Sequence, residues 1–464
     1  MSPEERWRQA APLSYWLDDP ARPAPRSDFP RRQHVDLVVI GGGLTGLWAA
    51  LRSLERRPNR SVLLLEASQI AEHASGRNGG FCDASITHGD ANGRNRWPDE
   101  MPLLRRLGQE NLDGIEKTIE HYNIDCGAQR VGQLDIAIEP WQVDMLADEV
   151  KARQAGGLND RFVVGEELKA EFGSPKALAG MLDLDHNIML DPARLCWGLA
   201  DAIESLGGTI CEYTRVDKLE NKGARVEIST NRGVMYAQQV IVATAAFDAL
   251  VKSAKRRIVP IYDYVLVTEP ITDEQVEEIG WTSRRGVSDA GNQFHYLRLT
   301  DENRILFGGY EAIYRAAHTV DTSYEDDDWT FNLLAEHFDE TFPSLRQVPF
   351  SHRWAGAIDT STRFCAAAAP SHDRKVVTVN GFTGLGVGSS RFFADAALDV
   401  LDELKTRASM TELIQTVPTG FPPEPVKFLG ITVTKWAIAR ADKKDGKRGP
   451  WLRLLDRLGL GFDS

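Results

Sequence analysis

From Val35 the chain reads Val-Asp-Leu-Val-Val-Ile-Gly-Gly-Gly-Leu-Thr-Gly, and a second apolar stretch, Ser-Val-Leu-Leu-Leu, ends on Glu66. A buried strand over 38–40, a G-x-G-x-x-G turn, a helix over 47–56 and a strand over 62–65 make a complete βαβ unit. Each glycine has a separate task. Gly41 permits the tight turn, and Gly43 leaves the backbone open to a pyrophosphate. Gly46, helped by Ala50, lets the helix pack on the strand. The helix start, with Leu44 and Thr45, aims free N–H groups and a positive dipole end at phosphate. Glu66, followed by Ala67, stands roughly 20 residues beyond the last glycine, where an acid accepts hydrogen bonds from an adenosine ribose. That acid disfavours a 2′-phosphate and therefore NADP. The motif alone leaves FAD and NAD open.

At 464 residues the chain has room for two domains with sizeable cores. A hydrophobic share of 42% and a charged share of 26% are those of a soluble globular protein. No apolar run approaches the roughly 20 residues of a membrane span. Residues 1–30 are polar and proline-rich, with no apolar core of a signal peptide. The cysteines Cys82, Cys126, Cys196, Cys211 and Cys365 are scattered without C-x-x-C spacing, which points to the reducing cytoplasm and away from a metal site or disulfide frame. A net charge of −13 argues against nucleic acid as a partner. The C-terminal tail departs from that balance: residues 425–464 carry nine Lys/Arg against four Asp, with Trp436, Trp451 and the apolar run 428–431. Such a tail either packs on its own domain or rests peripherally on a membrane surface or protein partner.

A second strand–glycine–helix unit lies near the C-terminus, with a strand over 375–379, glycines at 381, 384, 386 and 388, and a helix over 391–404. A nicotinamide enzyme has no need of it. A flavin does, because a helix N-terminus stabilises negative charge on the reduced ring. Between the two units the pattern predicts helices over 101–122, 143–155 and 192–206. Strands are expected over 133–138, 209–212, 225–228, 233–236, 240–246, 264–268, 294–299 and 305–310, with a helix over 329–342.

Together these segments resemble the D-amino-acid-oxidase-type superfamily of FAD-dependent amine and amino-acid oxidases, with the gamma-glutamylputrescine oxidase-like amine oxidases most similar. The resemblance runs from about Asp36 to Leu404. It rests on the first glycine motif with Glu66, on Ala74-Ser-Gly-Arg-Asn-Gly-Gly80, on Val240–Ala243, and on Tyr296–Thr300 with Asn303–Gly309. Arg353-Trp354-x-Gly356 and the turn at 381–388 complete it.

The resemblance implies an α/β (α+β) fold: a Rossmann-like FAD-binding domain of the glutathione-reductase type and a mixed β-sheet substrate domain roofing the flavin. The expected division is an N-terminal arm over 1–34, a discontinuous FAD-binding domain over 35–125, 180–257 and 351–410, a substrate domain over 126–179 and 258–350, and a basic tail over 411–464. It also implies flavin contacts from Ser75, Gly76, Arg77, Asn78, Gly79 and Gly80, adenine cover from Val216, and further contacts from Ala243, Gly384, Leu385, Gly386 and Val387. The reaction it implies is hydride transfer from the carbon alpha to nitrogen onto flavin N5, with imine hydrolysis and reoxidation by oxygen. The alternatives are a dehydrogenase using another acceptor and a non-catalytic flavoprotein subunit.

This chain departs from the family pattern in three places. Leu385 replaces a histidine in the C-terminal turn. Cys365 sits several residues late for covalent attachment, so FAD is expected to bind non-covalently. Apolar Ile305, Leu306 and Phe307 stand where some relatives carry an oxygen-activating lysine.

For an amine substrate the roof strands and the flavin edge offer Tyr262, Tyr264, His295, Tyr296, Arg298, Arg353 and Trp354. Of these, Tyr264, Tyr296, Arg298, Arg353 and Trp354 are the expected catalytic set: aromatics to cage an amine, an arginine to clamp a carboxylate. Strand alternation places His295 on the face opposite Tyr296 and Arg298, so His295 and Arg298 cannot both look at the flavin.

Overall fold

The computed structural model describes residues 1–29, 34–247, 250–315 and 320–457. Residues 30–33 of the expected arm and 458–464 of the expected tail lie outside the described residues.

The strand His34–Ile40 is apolar on both faces because both faces are covered. Leu37 and Val39 enter a core shared with the helices Leu44–Arg56, Pro192–Ser205 and Gly386–Leu401, while Val38 and Ile40 enter a second core under a three-stranded meander. Around it an eight-stranded sheet is ordered Ala367–Ser371, Val376–Asn380, Gly233–Val242, His34–Ile40, Val62–Leu65 and Thr209–Cys211, with Val226–Thr230 and Val216–Asn221 branching from Gly233–Val242. His34–Ile40 pairs in parallel with both its neighbours, as the βαβ pattern requires. The strands expected separately over 233–236 and 240–246 are one, Gly233–Val242. It runs antiparallel to the meander and parallel to His34–Ile40 without a break.

A second eight-stranded sheet is ordered Phe350–Ser361, Ile258–Thr268, Ile305–Gly309, His295–Leu299, Gly286–Asp289, Gln133–Ala137, Ala179–Asp183 and Arg161–Val163. It is mixed: only Gly286–Asp289 and Gln133–Ala137 pair in parallel. Two expected boundaries need correcting. Phe350–Ser361 pairs along its length with Ile258–Thr268, and Ala179–Asp183 pairs with Gln133–Ala137, so the cuts at 180 and 351 pass through strands of this sheet. One face of the sheet packs on the helix Asp328–Thr341, with Phe331, Phe338 and Phe342 fully buried.

The N-terminal segment does not lie on the surface as an arm. Its helix Pro3–Arg8 buries Trp7 against Phe331 and pairs Arg6 with Asp339. Ala11 then bridges to His352, and Trp16 and Leu17 are 3% exposed in the core of the first sheet. These apolar residues are spaced among Pro, Asp and Arg without helical or strand period, so no pattern announced their burial. The tail forms two helices, Val426–Asp442 and Pro450–Arg457, joined by a small core of Ala437, Ile438, Ala441 and Leu452. Among the described residues no helix is long and apolar enough to cross a membrane, and no group of three His, Cys, Asp or Glu could hold a metal ion.

Candidate active site

One continuous cavity of about 2430 Å³ lies between the two sheets. A cleft for a single drug-sized ligand holds roughly 300–1,000 Å³, so this space takes a dinucleotide and a second molecule together. Its floor is largely backbone. Gly41, Gly43, Leu44, Thr45, Glu66, Ala67, Ser75, Arg77, Asn78 and Gly79 line it, as do Val216, Ala243, Gly384, Leu385, Gly386 and Val387. Gly46, Gly76 and Gly80, also expected at the cofactor, do not. Each lies behind the surface, where an added Cβ would strike a backbone oxygen: Gly41 O, Ala71 O and Leu190 O respectively. They shape the cradle from behind its surface.

Two helices begin at this floor, Leu44–Arg56 and Gly386–Leu401, and neither N-cap residue supplies a side-chain hydrogen bond. Ser75 Oγ accepts the Leu44 N–H at 2.9 Å, and the other first-turn N–H groups of the two helices are available to a ligand. The second helix starts within the glycine turn, five residues before its expected start, which brings its dipole to the cavity. Glu66 accepts the N–H groups of Gly42 at 2.6 Å and Ser68 at 2.7 Å, though burial pushes its pKa upward. Asp359 accepts from the N–H of Gly381 at 2.6 Å and so fixes the second turn; burial raises it to about 6. Two helix N-termini, a glycine turn with Gly41 at φ +112° and a buried acid fit a flavin dinucleotide stretched along the floor. No cysteine lines the cavity among the described residues.

The loop Ser75–Gly80 is held from behind, one carbonyl at a time. Ser14 Oγ donates to Gly76 O at 2.7 Å, Trp354 Nε1 to Arg77 O at 2.8 Å and Trp16 Nε1 to Asn78 O at 2.8 Å. Arg298 donates to Gly79 O at 3.3 Å and to Leu190 O.

These contacts correct much of the expected catalytic set. Arg298 is buried, stacks over Trp16 and does not line the cavity; desolvation lowers its pKa to about 10. Trp354 stands behind the cofactor loop. Arg353 points to the outer face, over Trp7 and Phe331, and pairs with Asp326. Tyr264 also faces outward: its hydroxyl donates to Tyr324 O at 2.5 Å and its ring meets Phe331. Tyr262 shares that face. His295 packs away from the cavity too, its Nδ1 2.6 Å from Asp289 and its Nε2 2.9 Å from His337. Tyr296 alone of the expected catalytic five lines the cavity.

The residue between the two outward tyrosines is the one that looks in. Asp263 is part-exposed into the cavity and accepts the Tyr296 hydroxyl at 2.5 Å. Desolvation pushes its carboxyl up to about 6, against the lowering pull of the Tyr296 hydrogen bond. Gly308 makes that bond possible, since a Cβ there would meet the Tyr296 ring at 2.5 Å. Further along the same roof Asp135 takes hydrogen bonds from Gln133 and Ser288, and burial raises it. Asp83 enters from the floor, raised by burial to about 6. Beside it, Asn187 is fully buried, and its Oδ1 has no hydrogen-bond partner. Among the described residues no lysine or arginine is ion-paired with Asp83, Asp135 or Asp263. Neighbouring Arg153 is already engaged by Asp160 at 2.8 Å and Asp183 at 3.0 Å. Asp263, Asp135 and Asp83 thus face the cavity without an ion-pair partner, with Arg153 lining the same cavity near Asp135 and Asp83. His73 and His88, also on the cavity, are lowered by desolvation to about 4 and remain neutral imidazoles at neutral pH.

A family model described as FAD dependent oxidoreductase matches residues 36–399. The probable oxidoreductase OrdL of Haemophilus influenzae is 29% identical over 400 residues, covering 83% of this chain and 88% of that protein. Gamma-glutamylputrescine oxidoreductase of Escherichia coli is 29% identical over 347 residues, covering 74% of this chain and 78% of that protein. Among solved structures, glycine oxidase from Geobacillus kaustophilus superposes with a TM-score of 0.69 at 17% identity, over 83% of this chain and 99% of that one.

Proposed function

The chain belongs to the FAD dependent oxidoreductase family, and from that membership we propose that it oxidises a cationic amine lacking an α-carboxylate. One observation carries the substrate class: Asp263, hydrogen-bonded to Tyr296, faces the cavity with no cation partner, and the arginine expected to clamp a carboxylate is sealed behind the cofactor loop. FAD, when bound, supplies the acceptor for the hydride leaving the carbon alpha to nitrogen.

The chain's own residues bind, deprotonate and orient. Asp263 attracts the substrate ammonium and takes its proton, leaving the neutral amine that hydride loss requires. A carboxyl pushed to about 6 is ionised at neutral pH yet is a better base than an ordinary aspartate. Tyr296 fixes the carboxylate's direction. Asp135 and Asp83 extend the same preference along the cavity toward substrates with more than one positive charge. The floor loops hold FAD without a covalent bond. Oxygen is the acceptor we assign to the second half-reaction.

A second reading is a dehydrogenase that passes electrons to another carrier. It is favoured by Leu306, an apolar side chain buried in the core on the cofactor side of the roof, where an oxygen-activating lysine would stand.

Anaerobic titration of the flavin-loaded protein with diamines, monoamines and amino acids tests the main reading. Bleaching of the flavin absorbance by amines, fastest with diamines, is the expected outcome. Bleaching by α-amino acids alone overturns it. Oxygen uptake that matches bleaching in the presence of air separates oxidase from dehydrogenase.

A further inference from the structure

We propose that the helix Val426–Asp442 seats the protein on an anionic lipid bilayer. This helix is apolar on two sides. Its packed side contributes Ala437, Ile438 and Ala441 to the tail core. Its other side carries Val426, which also borders the cavity, and Leu429, Val433 and Trp436, exposed by 58%, 59%, 42% and 61%. Their spacing of three, four and three residues sets them in one stripe along the helix. A contiguous exposed apolar stripe that includes a tryptophan is a surface that lacks its cover. Arg440 continues it by one turn, with its guanidinium 5.3 Å from the Trp436 ring centre. Beyond it come exposed Lys443, Lys444 and Lys447, then Arg453 and Arg457 on the last helix.

Charge selects the occupant. Of the tail's cations Lys427 is buried beside Glu424 and Lys435 is paired with Glu311, which leaves Arg440, Lys443, Lys444, Lys447, Arg453 and Arg457 exposed against Asp445 and Asp456 among the described residues, within a chain of net charge −13. An anionic surface therefore repels most of the molecule and attracts this patch, which orients the protein with the stripe toward the lipid. A second copy would bring two such basic patches face to face across a two-fold axis, against their mutual repulsion. Tryptophan beside an apolar stripe, with basic residues around it, is the composition that rests at the level of lipid headgroups.

The seat also bears on the cavity. Gly430, Ile431, Thr434 and Ile438, on the inner side of the same helix, form part of the cavity wall. Docking therefore places one end of the cavity close to the membrane.

Co-sedimentation of the flavin-loaded full chain tests the proposal, using vesicles of phosphatidylcholine alone or mixed with phosphatidylglycerol. The expected result is binding to the mixed vesicles, lost in high salt and with phosphatidylcholine alone, together with a blue shift of tryptophan emission. The triple variant Leu429→Ser, Val433→Ser, Trp436→Ser is expected to bind at least ~10-fold less with an unchanged flavin spectrum and amine turnover. Should that variant not fold, Lys443→Glu with Lys444→Glu is expected to weaken binding in the same direction. Failure to sediment with anionic vesicles overturns the proposal, as does undiminished binding by a folded variant. So does a concentration-dependent dimer that the triple variant abolishes in the absence of vesicle binding. None of these readouts depends on which amine is oxidised.

Discussion

The floor and the roof of the cavity are built by opposite means. The floor is backbone: two glycine turns, two helix ends, and a loop whose carbonyls are gripped from behind. The roof is side chain: Asp263, Tyr296, Ser288 and Asp135 standing on four strands of one sheet. A backbone surface is specified by where glycine must occur, and it serves any member of a family that binds the same cofactor. A side-chain surface is specified by strand parity and is free to change with substrate. The difference predicts that damage to the floor removes the cofactor, whereas damage to the roof spares the cofactor and removes the chemistry.

The largest effect should come from the floor. Gly46→Ala places a Cβ 1.9 Å from Gly41 O, and the turn cannot hold both. Protein without flavin absorbance, or no soluble protein, is the expected outcome; a normally yellow, active variant would break the distinction. Next comes Asp263→Asn, expected to keep the flavin spectrum while kcat/KM for the amine falls by ~10²–10⁴-fold. Its neighbour supplies the control. Tyr264→Phe removes a hydroxyl on the outer face, so it should cost about 1 kcal/mol of stability and leave kcat/KM unchanged.

A smaller effect is a matter of pH. Asp263 must be ionised to take a proton, so kcat/KM should rise with pH through about 6, where burial holds its carboxyl. Tyr296→Phe deletes the hydrogen bond that lowers this value, and the rising limb should move to higher pH. A limb that stays in place in that variant would mean another group titrates. The smallest effect tests the grip on the floor from behind. Trp16→Phe loses the bond to Asn78 O and should weaken FAD binding by ~5–10-fold, measured by flavin fluorescence on dilution, with little change in kcat once flavin is saturating.

The same contrast explains what the sequence made legible. The βαβ unit, Glu66 and the second glycine turn were readable because glycine spacing reports directly on backbone, and most of the residues they named line the floor. The roof was misread by one position. In Ile258–Thr268 the aromatic residues drew attention to Tyr262 and Tyr264, although a two-residue period puts Asp263 on the other face. The overlooked signal was the acid itself, the only charged residue in an apolar eleven-residue strand. Arg353 and Trp354 failed for a related reason. They mark the strand Phe350–Ser361 reliably, but its cavity residues run from Gly356 to Ser361. The N-terminal segment was unreadable because its partners are tertiary and distant, and no local period encodes them.

That last feature has a consequence for how the chain is made. Trp7 and Arg6 are made well before Asp339, the partner of Arg6, which lies 333 residues later. At about 5–20 residues per second, roughly 20–70 s pass before that partner exists. Until then Trp7 also lacks Phe331, the ring it packs against. The Ser75–Gly80 loop is gripped in two stages: Ser14 and Trp16 are made before it, whereas Arg298 and Trp354 are made long after it.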